Sequence, residues 1–218
     1  MMNTNSILFT VSVWTLPILL AVTLHEAAHG WAAWKLGDDT AKRLGRVTFN
    51  PLRHIDLFGT VLLPAMLLFV SGGRMMFGFA KPVPVDFGRL NHRRRDMILV
   101  ALAGPAANLL IAFVAAGLFH GLTVFAGNLQ HWIGYNLANT IWINVLLFVF
   151  NMLPLPPLDG GRVAVGLLPP SLGYRLARLE KSGILIILIA LFVLPWIGGK
   201  LGLDLNVFGW LVGGPAEY

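Results

Sequence analysis

Long uncharged apolar stretches separated by basic segments dominate this sequence. The first, residues 7–24, is long enough to enter a bilayer, and residues 97–119, 137–153 and 183–197 form further apolar stretches. Residues 57–72 are apolar but lie near the lower limit for crossing. The pattern predicts an all-α polytopic membrane protein with about four to six transmembrane helices.

The first helix has clear local signals at both ends. Ser6 is a typical N-cap, and the helix is expected to end at Leu36, before Gly37 and two aspartates. Residues 1–6 lack the basic region and cleavage pattern of a signal peptide. The first span is therefore expected to remain as a signal anchor.

Composition agrees with a membrane protein. Of 218 residues, 56% are hydrophobic and 12% are charged, against roughly 25% charged in ordinary soluble domains. The net charge of +6 could indicate nucleic acid or an anionic membrane face, and the apolar spans favour the membrane. There is no cysteine, which excludes disulfides and thiolate sites and leaves the redox compartment open.

The basic residues indicate how residues 57–72 are placed. If this stretch crosses, 10 basic residues lie on one side and 6 on the other. If it enters and returns on the same side, 15 of the 16 lie together, opposite a loop at residues 120–136. A re-entrant segment is therefore expected, with the basic side facing the cytoplasm. Only then do the first helix and the helix at 137–153 run parallel.

His25, Glu26 and His29 have the spacing of a zinc hydrolase site. On a helix, residues four apart share a face, so the two histidines can bind one ion, with Glu26 about 100° round the helix from His25. A third protein ligand and a water would complete such a site, and a carboxylate beside it can take the proton of the water. The pattern also arises by chance in soluble helices. Inside a membrane helix each ionisable residue costs on the order of 2.5–3.5 kcal/mol, which favours a functional site.

The third ligand is open among other acidic and histidine side chains, namely Asp56, His54, Asp86, His92, Asp96, Asp159 and Glu180. Asp159 stands out because it follows an apolar helix and a proline-rich break, and irregular backbone at membrane depth is tolerated only where it lines protein or a cavity. Two glycines after it would allow close approach to a metal or substrate. An aspartate in an interfacial turn is nearly as good an interpretation.

Two other features bear on substrate binding. Asn108 and Asn144 lie inside spans, where a buried amide either joins helices or contacts substrate. Residues 78–90 contain two prolines, cannot easily form a helix, and are expected to form a short extended hairpin near the cytoplasmic face. Such an edge could accept a substrate as an added strand, although an ordinary interfacial loop fits the sequence equally well.

Four motifs together carry a family resemblance. Residues 25–29 read HEAAH and residues 151–160 read NMLPLPPLDG, with GFAKPVPV at 78–85 and AGPAAN at 103–108. This combination resembles the site-2 protease family of intramembrane zinc metalloproteases, and in particular its small prokaryotic members without a PDZ-like domain.

The resemblance covers most of the chain, from about residue 20 to 165. It implies a single integral membrane metalloprotease domain over residues 1–218, with a C-terminal helix and tail at 183–218. It also implies that His25, His29 and Asp159 bind one zinc ion per chain.

The resemblance further implies that Glu26 is the general base and that Asn108 helps to position the substrate or the oxyanion. The expected function is an intramembrane zinc endopeptidase that hydrolyses membrane-embedded or membrane-associated proteins. Its expected location is a prokaryotic cell (inner) membrane, with the active site toward the cytoplasm. The expected partners are a membrane protein substrate and the lipid bilayer, with no nucleic acid.

One alternative belongs to a different class, a non-hydrolytic zinc-binding membrane protein such as a metal carrier or an inactive protease homologue. Glu26 distinguishes the two, because a carrier has no need of a base beside a ligand. The sequence leaves open the substrate, the trigger of cleavage and the oligomeric state.

Overall fold

Helices make up all of the regular secondary structure in the described residues, which are 6–70, 78–207 and 209–210. In chain order the α-helices of this computed structural model are α1 (Ile7–Lys35), α2 (Thr40–Arg43), α3 (Leu63–Val70), α4 (Arg93–His120), α5 (Gly127–Asn151), α6 (Asp159–Leu167), α7 (Pro170–Ala177), α8 (Glu180–Leu188) and α9 (Leu194–Leu201). Short 3-10 or π-helical turns lie at Pro51–Arg53, Leu57–Leu62, Gly121–Val124 and Ile189–Val193. Of the segments considered above, residues 71–72 and much of the C-terminal tail lie outside the described residues.

Four helices have the length and hydropathy of membrane spans. They are α1, α4 with the turn that follows it, α5, and the continuous helix Glu180–Leu201 that contains α8 and α9. The predicted polytopic helical architecture is therefore confirmed, with four candidate spans in the described part of the chain.

The ends of α1 follow its local signals. The Ser6 hydroxyl accepts a hydrogen bond from the Phe9 amide at 3.2 Å, as an N-cap does. After Lys35, Gly37 takes a φ of +111°, a conformation that favours glycine. The predicted bounds of this helix are thus confirmed to within one residue.

Contacts between α1 and α5 show that the two helices run in the same direction. Phe9 meets Tyr135 edge to face at 5.4 Å, and further along both helices Trp14 meets Trp142 at 5.7 Å between ring centroids. Because the residue numbers of both helices rise from the first contact to the second, the predicted parallel arrangement is confirmed. Asp159, which follows α5, therefore lies at the same end as the histidines of α1.

The helix α4 runs antiparallel to α1 and packs closely against it. His29 contacts Val100, near the start of α4, whereas His25 contacts Asn108 two turns later. Small residues let helix backbones approach each other in membranes. The buried alanines and glycines of these two helices are Ala21, Ala27, Gly30, Ala33, Ala101, Gly104, Ala112 and Ala115.

The start of the short apolar segment Leu57–Val70 is bonded to the residue at which the chain resumes its extended course, Phe79. At about 1.5 Å per residue it extends about 20 Å, less than a hydrocarbon core of about 30 Å. The Phe79 amide donates to the Gly59 carbonyl at 3.0 Å, and the Thr60 hydroxyl donates to the Phe79 carbonyl at 3.0 Å. These bonds support the re-entrant interpretation, although the depth of the segment in a membrane stays a prediction.

The extended segment, residues 78–86, forms no strand pairing within the described part of the chain, so the predicted hairpin is not observed there. Its two prolines have no amide hydrogen to donate. The amides of Phe79, Lys81 and Val83 donate to a carbonyl or carboxylate oxygen elsewhere in the chain, at 2.7–3.0 Å. Because these amides already have acceptors, hydrogen bonds hold the segment to its surroundings without pairing to a neighbouring strand.

Candidate metal centre

The three predicted ligands, His25, His29 and Asp159, converge where the last third of α1 meets the start of α6. The Nε2 atoms of His25 and His29 lie 3.0 Å apart, and Asp159 Oδ2 lies 3.2 Å and 3.3 Å from them. All three side chains are buried. Two motifs that are distant in sequence thus meet at one point, as the parallel arrangement of α1 and α5 requires.

The other ring nitrogen of each histidine is held by an oxygen atom of α4. His25 Nδ1 bonds to Asn108 Oδ1 at 2.6 Å, and His29 Nδ1 bonds to the Val100 carbonyl at 2.7 Å. Carbonyl and amide oxygens only accept hydrogen bonds, so each Nδ1 is the protonated nitrogen. Both Nε2 atoms of the neutral rings then direct lone pairs at Asp159, as metal-binding histidines do.

The convergence of these atoms fits a bound cation. Asp159 Oδ2 is buried and accepts no hydrogen bond from the described residues, and the two Nε2 atoms that face it carry no proton in the neutral rings. Three lone pairs at about 3 Å repel one another unless a positive ion lies between them. Two neutral imidazoles and one carboxylate are a donor set that suits zinc and leave a position for water. These residues therefore fit a zinc ion.

Asn108 is completely buried and is bonded on both sides of its amide group. Its Nδ2 donates to Asn144 Oδ1 at 2.7 Å and to the Ala21 carbonyl at 3.4 Å, while Oδ1 holds His25. In the structure Asn108 therefore orients the ring of His25 and joins α4 to α5. A contact between Asn108 and the substrate or oxyanion stays a prediction.

Gly104 lies directly against both histidine rings. A Cβ atom built at this position would lie 2.6 Å from Cε1 of His25 and of His29, closer than real Cβ contacts. A glycine is thus required for α4 to approach the ligands. The motif at 103–108 contains this residue, but no role for it could be predicted from the sequence.

A cavity of about 440 Å³ opens on the three ligands. Glu26 lines it beside the histidines, and its other walls are mainly apolar side chains of the extended segment, α1, α4, α5 and α8. At its edge Arg162 pairs with Glu180 at 3.3 Å and lies 5.5 Å from the Phe87 ring centroid. The predicted base therefore shares one apolar cavity with the predicted ligands.

Among the residues that the structure describes, Glu26 has one hydrogen-bond partner in this cavity. Its Oε2 atom accepts the Val83 amide of the extended segment at 2.7 Å. This contact joins residues far apart in sequence, and no sequence pattern indicated it.

The extended segment is also attached to the end of α1 through Asp38. One carboxylate oxygen of Asp38 accepts the Asp86 amide at 2.7 Å, and the other accepts the Thr40 hydroxyl and amide. Burial alone would raise the pKa of Asp38, but these hydrogen bonds and the charge of Arg89 outweigh it and lower the pKa from its ordinary value.

The other candidates for the third ligand have different surroundings. Within the described part of the chain, Asp159 is the residue that completes a possible metal-binding group with the two histidines. His54 is buried beside the Thr48 carbonyl, and Asp56 accepts the Gly59 amide at 2.7 Å. The remaining four lie at helix ends or on the surface, namely Asp86, His92, Asp96 and Glu180.

Comparison with known proteins agrees with this centre. Residues 13–133 and 120–195 match a family model described as Peptidase family M50. The chain is 40% identical over 185 residues to a Bacillus subtilis (strain 168) protein named zinc metalloprotease YwhC, and the alignment covers 82% of this chain and 78% of that protein. No solved structure matches the chain significantly.

Mycobacterial proteins named zinc metalloprotease Rip2 are also similar. The Mycolicibacterium smegmatis protein is 31% identical over 174 residues, covering 79% of this chain and 64% of that protein. The protein of Mycobacterium tuberculosis (strain H37Rv) is 30% identical over 181 residues, covering 83% and 66%. The chain thus spans about two thirds of the length of these relatives.

Proposed function

Because this chain belongs to peptidase family M50, the site-2 protease family, we propose that it is an endopeptidase whose substrates are membrane-embedded or membrane-associated proteins. That it is a zinc metalloprotease follows from the family and from its relatives. The proposal concerns the kind of substrate. The observation that carries it is that ligands, base and cavity lie among helices with the length and hydropathy of membrane spans.

The position of the ligands along α1 supports a membrane substrate. At about 1.5 Å per residue, His25 lies about 27 Å from Ile7, comparable to the roughly 30 Å of a hydrocarbon core. Lys35 lies about 15 Å beyond His25. The reaction would therefore occur near one face of the bilayer, which we propose to be the cytoplasmic face of a prokaryotic cell membrane.

The residues of the site would have different roles in the hydrolysis. His25, His29 and Asp159 would hold zinc, which when bound polarises the scissile carbonyl and lowers the pKa of the attacking water. Glu26, with one oxygen on the Val83 amide, has its other oxygen available to take the proton of that water. The same carboxyl group then returns the proton to the leaving amine. The new C–O bond forms when water adds to the carbonyl carbon, and the peptide C–N bond breaks afterwards as the amine takes up this proton.

The substrate must be unwound before it can react. A transmembrane helix keeps its peptide carbonyls in its own hydrogen bonds and surrounds its backbone with side chains. A cavity of about 440 Å³ accommodates a few residues of extended chain, not a complete helix of about 10 Å diameter. We therefore expect cleavage where the substrate helix ends or contains residues that weaken it.

A zinc carrier is the alternative, and the position of Glu26 argues against it. Glu26 follows the ligand His25 directly and faces the cavity, where it is available to take a proton. A carrier would pass its ion between sites across the membrane. Within the described residues the histidine and acidic side chains form one possible metal-binding group, near one end of the spans.

The proposal can be tested with detergent-purified protein and single-span peptides of defined sequence. Each peptide would carry a Gly–Pro or Asn–Gly pair near one end of an apolar segment, because these residues weaken helices. We expect the wild type to cleave near the weakened position. Glu26→Gln should retain zinc and lose about 10²- to 10⁴-fold in rate.

Two controls separate the parts of this proposal. Soluble peptides with the same central residues but without apolar flanks should be cleaved much more slowly, and equal rates would contradict the membrane substrate alone. If Glu26→Gln retained both zinc and the wild-type rate, Glu26 would not be the base.

A further inference from the structure

The sequence Pro82-Val83-Pro84 has one backbone amide hydrogen, and it forms a hydrogen bond with the carboxylate of Glu26. Neither proline has an amide proton, so Val83 supplies the only backbone donor of the three residues. It donates to Glu26 Oε2 at 2.7 Å. We propose that Val83 is a positioning residue, whose amide fixes the carboxylate of Glu26 for proton transfer. The inference rests on the proposed role of Glu26 as the base.

The two neighbouring prolines restrict the backbone conformation around the Val83 amide. The ring of Pro82 fixes its φ angle, and a residue before proline, such as Val83 before Pro84, is restricted to extended conformations. The backbone has little freedom to turn the amide away from Glu26. A donor held in this way is already oriented before the substrate binds.

The segment on the N-terminal side of Val83 is attached to a buried arginine. Arg46 donates to the Lys81 carbonyl at 2.7 Å and contacts the Pro82 carbonyl at 3.5 Å, and it is itself almost fully buried. The Lys81 amide donates to the His54 carbonyl at 2.9 Å. Two polar anchors therefore hold the backbone just before the donor.

The glycine at position 30 leaves space for Val83 to lie close against α1. Val83 is buried and packs over Gly30, one helical turn beyond Glu26. A Cβ atom at Gly30 would lie 3.1 Å from Val83 Cγ1. Gly30 thus allows the extended segment to lie close enough to α1 for the amide to reach Glu26.

Glutamate has several rotatable bonds, so without a partner its carboxylate would occupy several positions in the cavity. The Val83 amide holds Oε2 and leaves Oε1 available for the water. A displacement of about 1 Å at a reacting group can cost about a hundredfold in rate. Removing this donor should therefore lower kcat, with little effect on substrate binding.

The contact itself is tested without a substrate. Amide hydrogen exchange at Val83 would be measured by NMR in the wild type, Glu26→Ala and Glu26→Gln. We expect exchange to be about tenfold faster or more in Glu26→Ala, and close to wild type in Glu26→Gln, because the glutamine carbonyl still accepts. Equal exchange in wild type and Glu26→Ala would overturn the proposal.

The effect on catalysis is tested with Val83→Pro, which removes the amide hydrogen, and Val83→Ala, which removes most of the side chain and keeps the amide. With the fastest-cleaved peptide of the panel described above, Val83→Pro should lower kcat about 10- to 100-fold, with KM and zinc content within twofold of wild type. Val83→Ala should recover most of that loss. In a Glu26→Gln background Val83→Pro should cost no further rate.

Other outcomes would contradict the proposal. A raised KM with unchanged kcat would mean that the amide binds substrate, and loss of zinc would mean that the substitution disturbs the ligands. Equal losses of kcat in Val83→Pro and Val83→Ala would point to packing. If the wild type cleaves no peptide, the proposed function fails, whereas the exchange measurement still decides whether Val83 holds Glu26.

Discussion

Asn108 and His25 are joined by a hydrogen bond of 2.6 Å between Oδ1 and Nδ1. The bond makes Nδ1 the protonated nitrogen of His25 and turns Nε2 toward Asp159. Asn108 is held in turn by Asn144, through a bond of 2.7 Å. A chain of buried amides thus links α5 through α4 to the predicted ligand His25 on α1.

Replacing Asn108 by alanine should weaken zinc binding about 10- to 100-fold, because His25 loses the acceptor that orients its ring. The measurement is competition with a chelator on detergent-purified protein. Asn139→Ala is the matched control, since Asn139 donates to the Val13 carbonyl at 2.9 Å, in the same bundle but more than two turns of α1 before His25. Equal losses in the two variants would show that Asn108 acts through helix packing alone.

Asp159→Ala should reduce the zinc content well below one ion per chain, because it removes the single carboxylate of the ligand group. Elemental analysis of purified protein measures this directly. Asp86→Ala is the control, since Asp86 is an exposed carboxylate that lies outside the ligand group. If both variants bound as much zinc as wild type, Asp159 would not be a ligand.

Gly104→Ala should lower zinc affinity and activity together, because the added methyl group would push on both histidine rings. Alanine is favoured over glycine in helices by up to about 1 kcal/mol, so helix propensity alone would predict a gain in stability. Gly117→Ala, on the same helix and facing open space, is the control. Thermal unfolding and zinc content measured together separate the two effects. Full zinc binding by Gly104→Ala would contradict the close contact.

Much of this site could be predicted because its signals are local or topological. The positions of His25 and His29 on one helix face follow from their spacing, and Ser6 and Gly37 mark the ends of α1. The choice of Asp159 also required α1 and α5 to be parallel. That orientation was predicted from the distribution of basic residues, so even this contact between residues distant in sequence could be inferred.

Other contacts could not be inferred from the sequence in this way. Any residue could have supplied the carbonyl that Val100 offers to His29 or the amide that Val83 offers to Glu26, because every residue carries a carbonyl and all except proline carry an amide hydrogen. The predicted start of α5 was also wrong. The helix begins at Gly127 and not near residue 137, because the polar residues of its first turns remain helical while lowering hydropathy.

Stability of the turn after α1 should depend on pH through Asp38. The pKa of Asp38 is lowered on folding, so its contribution is fully present above the unfolded value of about 3.9 and is lost as pH falls through the folded value. Asp38→Asn removes this effect. Hydrogen exchange at the Asp86 amide should be faster in Asp38→Asn than in wild type at pH 7.

For this comparison, exchange rates would be corrected for the intrinsic effect of pH. The difference between wild type and Asp38→Asn should shrink as the pH falls below about 4, as the carboxylate becomes protonated. A difference that does not change with pH would mean that the geometry of the side chain matters and its charge does not.

The orientation in the membrane can be tested because the chain contains no cysteine. Leu44 is 59% exposed in the turn that follows α2, at the metal-centre end of α1, and Val124 is 84% exposed between α4 and α5, at the opposite end. The topology predicted from the sequence assigns fifteen of the sixteen basic residues to the Leu44 side, so the positive-inside rule predicts that Leu44 faces the cytoplasm.

Single-cysteine variants in spheroplasts of a bacterial host, treated with a membrane-impermeant maleimide, would decide the orientation. We expect Val124→Cys to react in intact spheroplasts and Leu44→Cys to react only after permeabilisation. The reverse pattern would place the metal centre near the outer face. Reaction of both variants in intact spheroplasts would place Leu44 and Val124 on the same side, as expected if residues 57–72 crossed the membrane before α4, and would contradict the re-entrant segment.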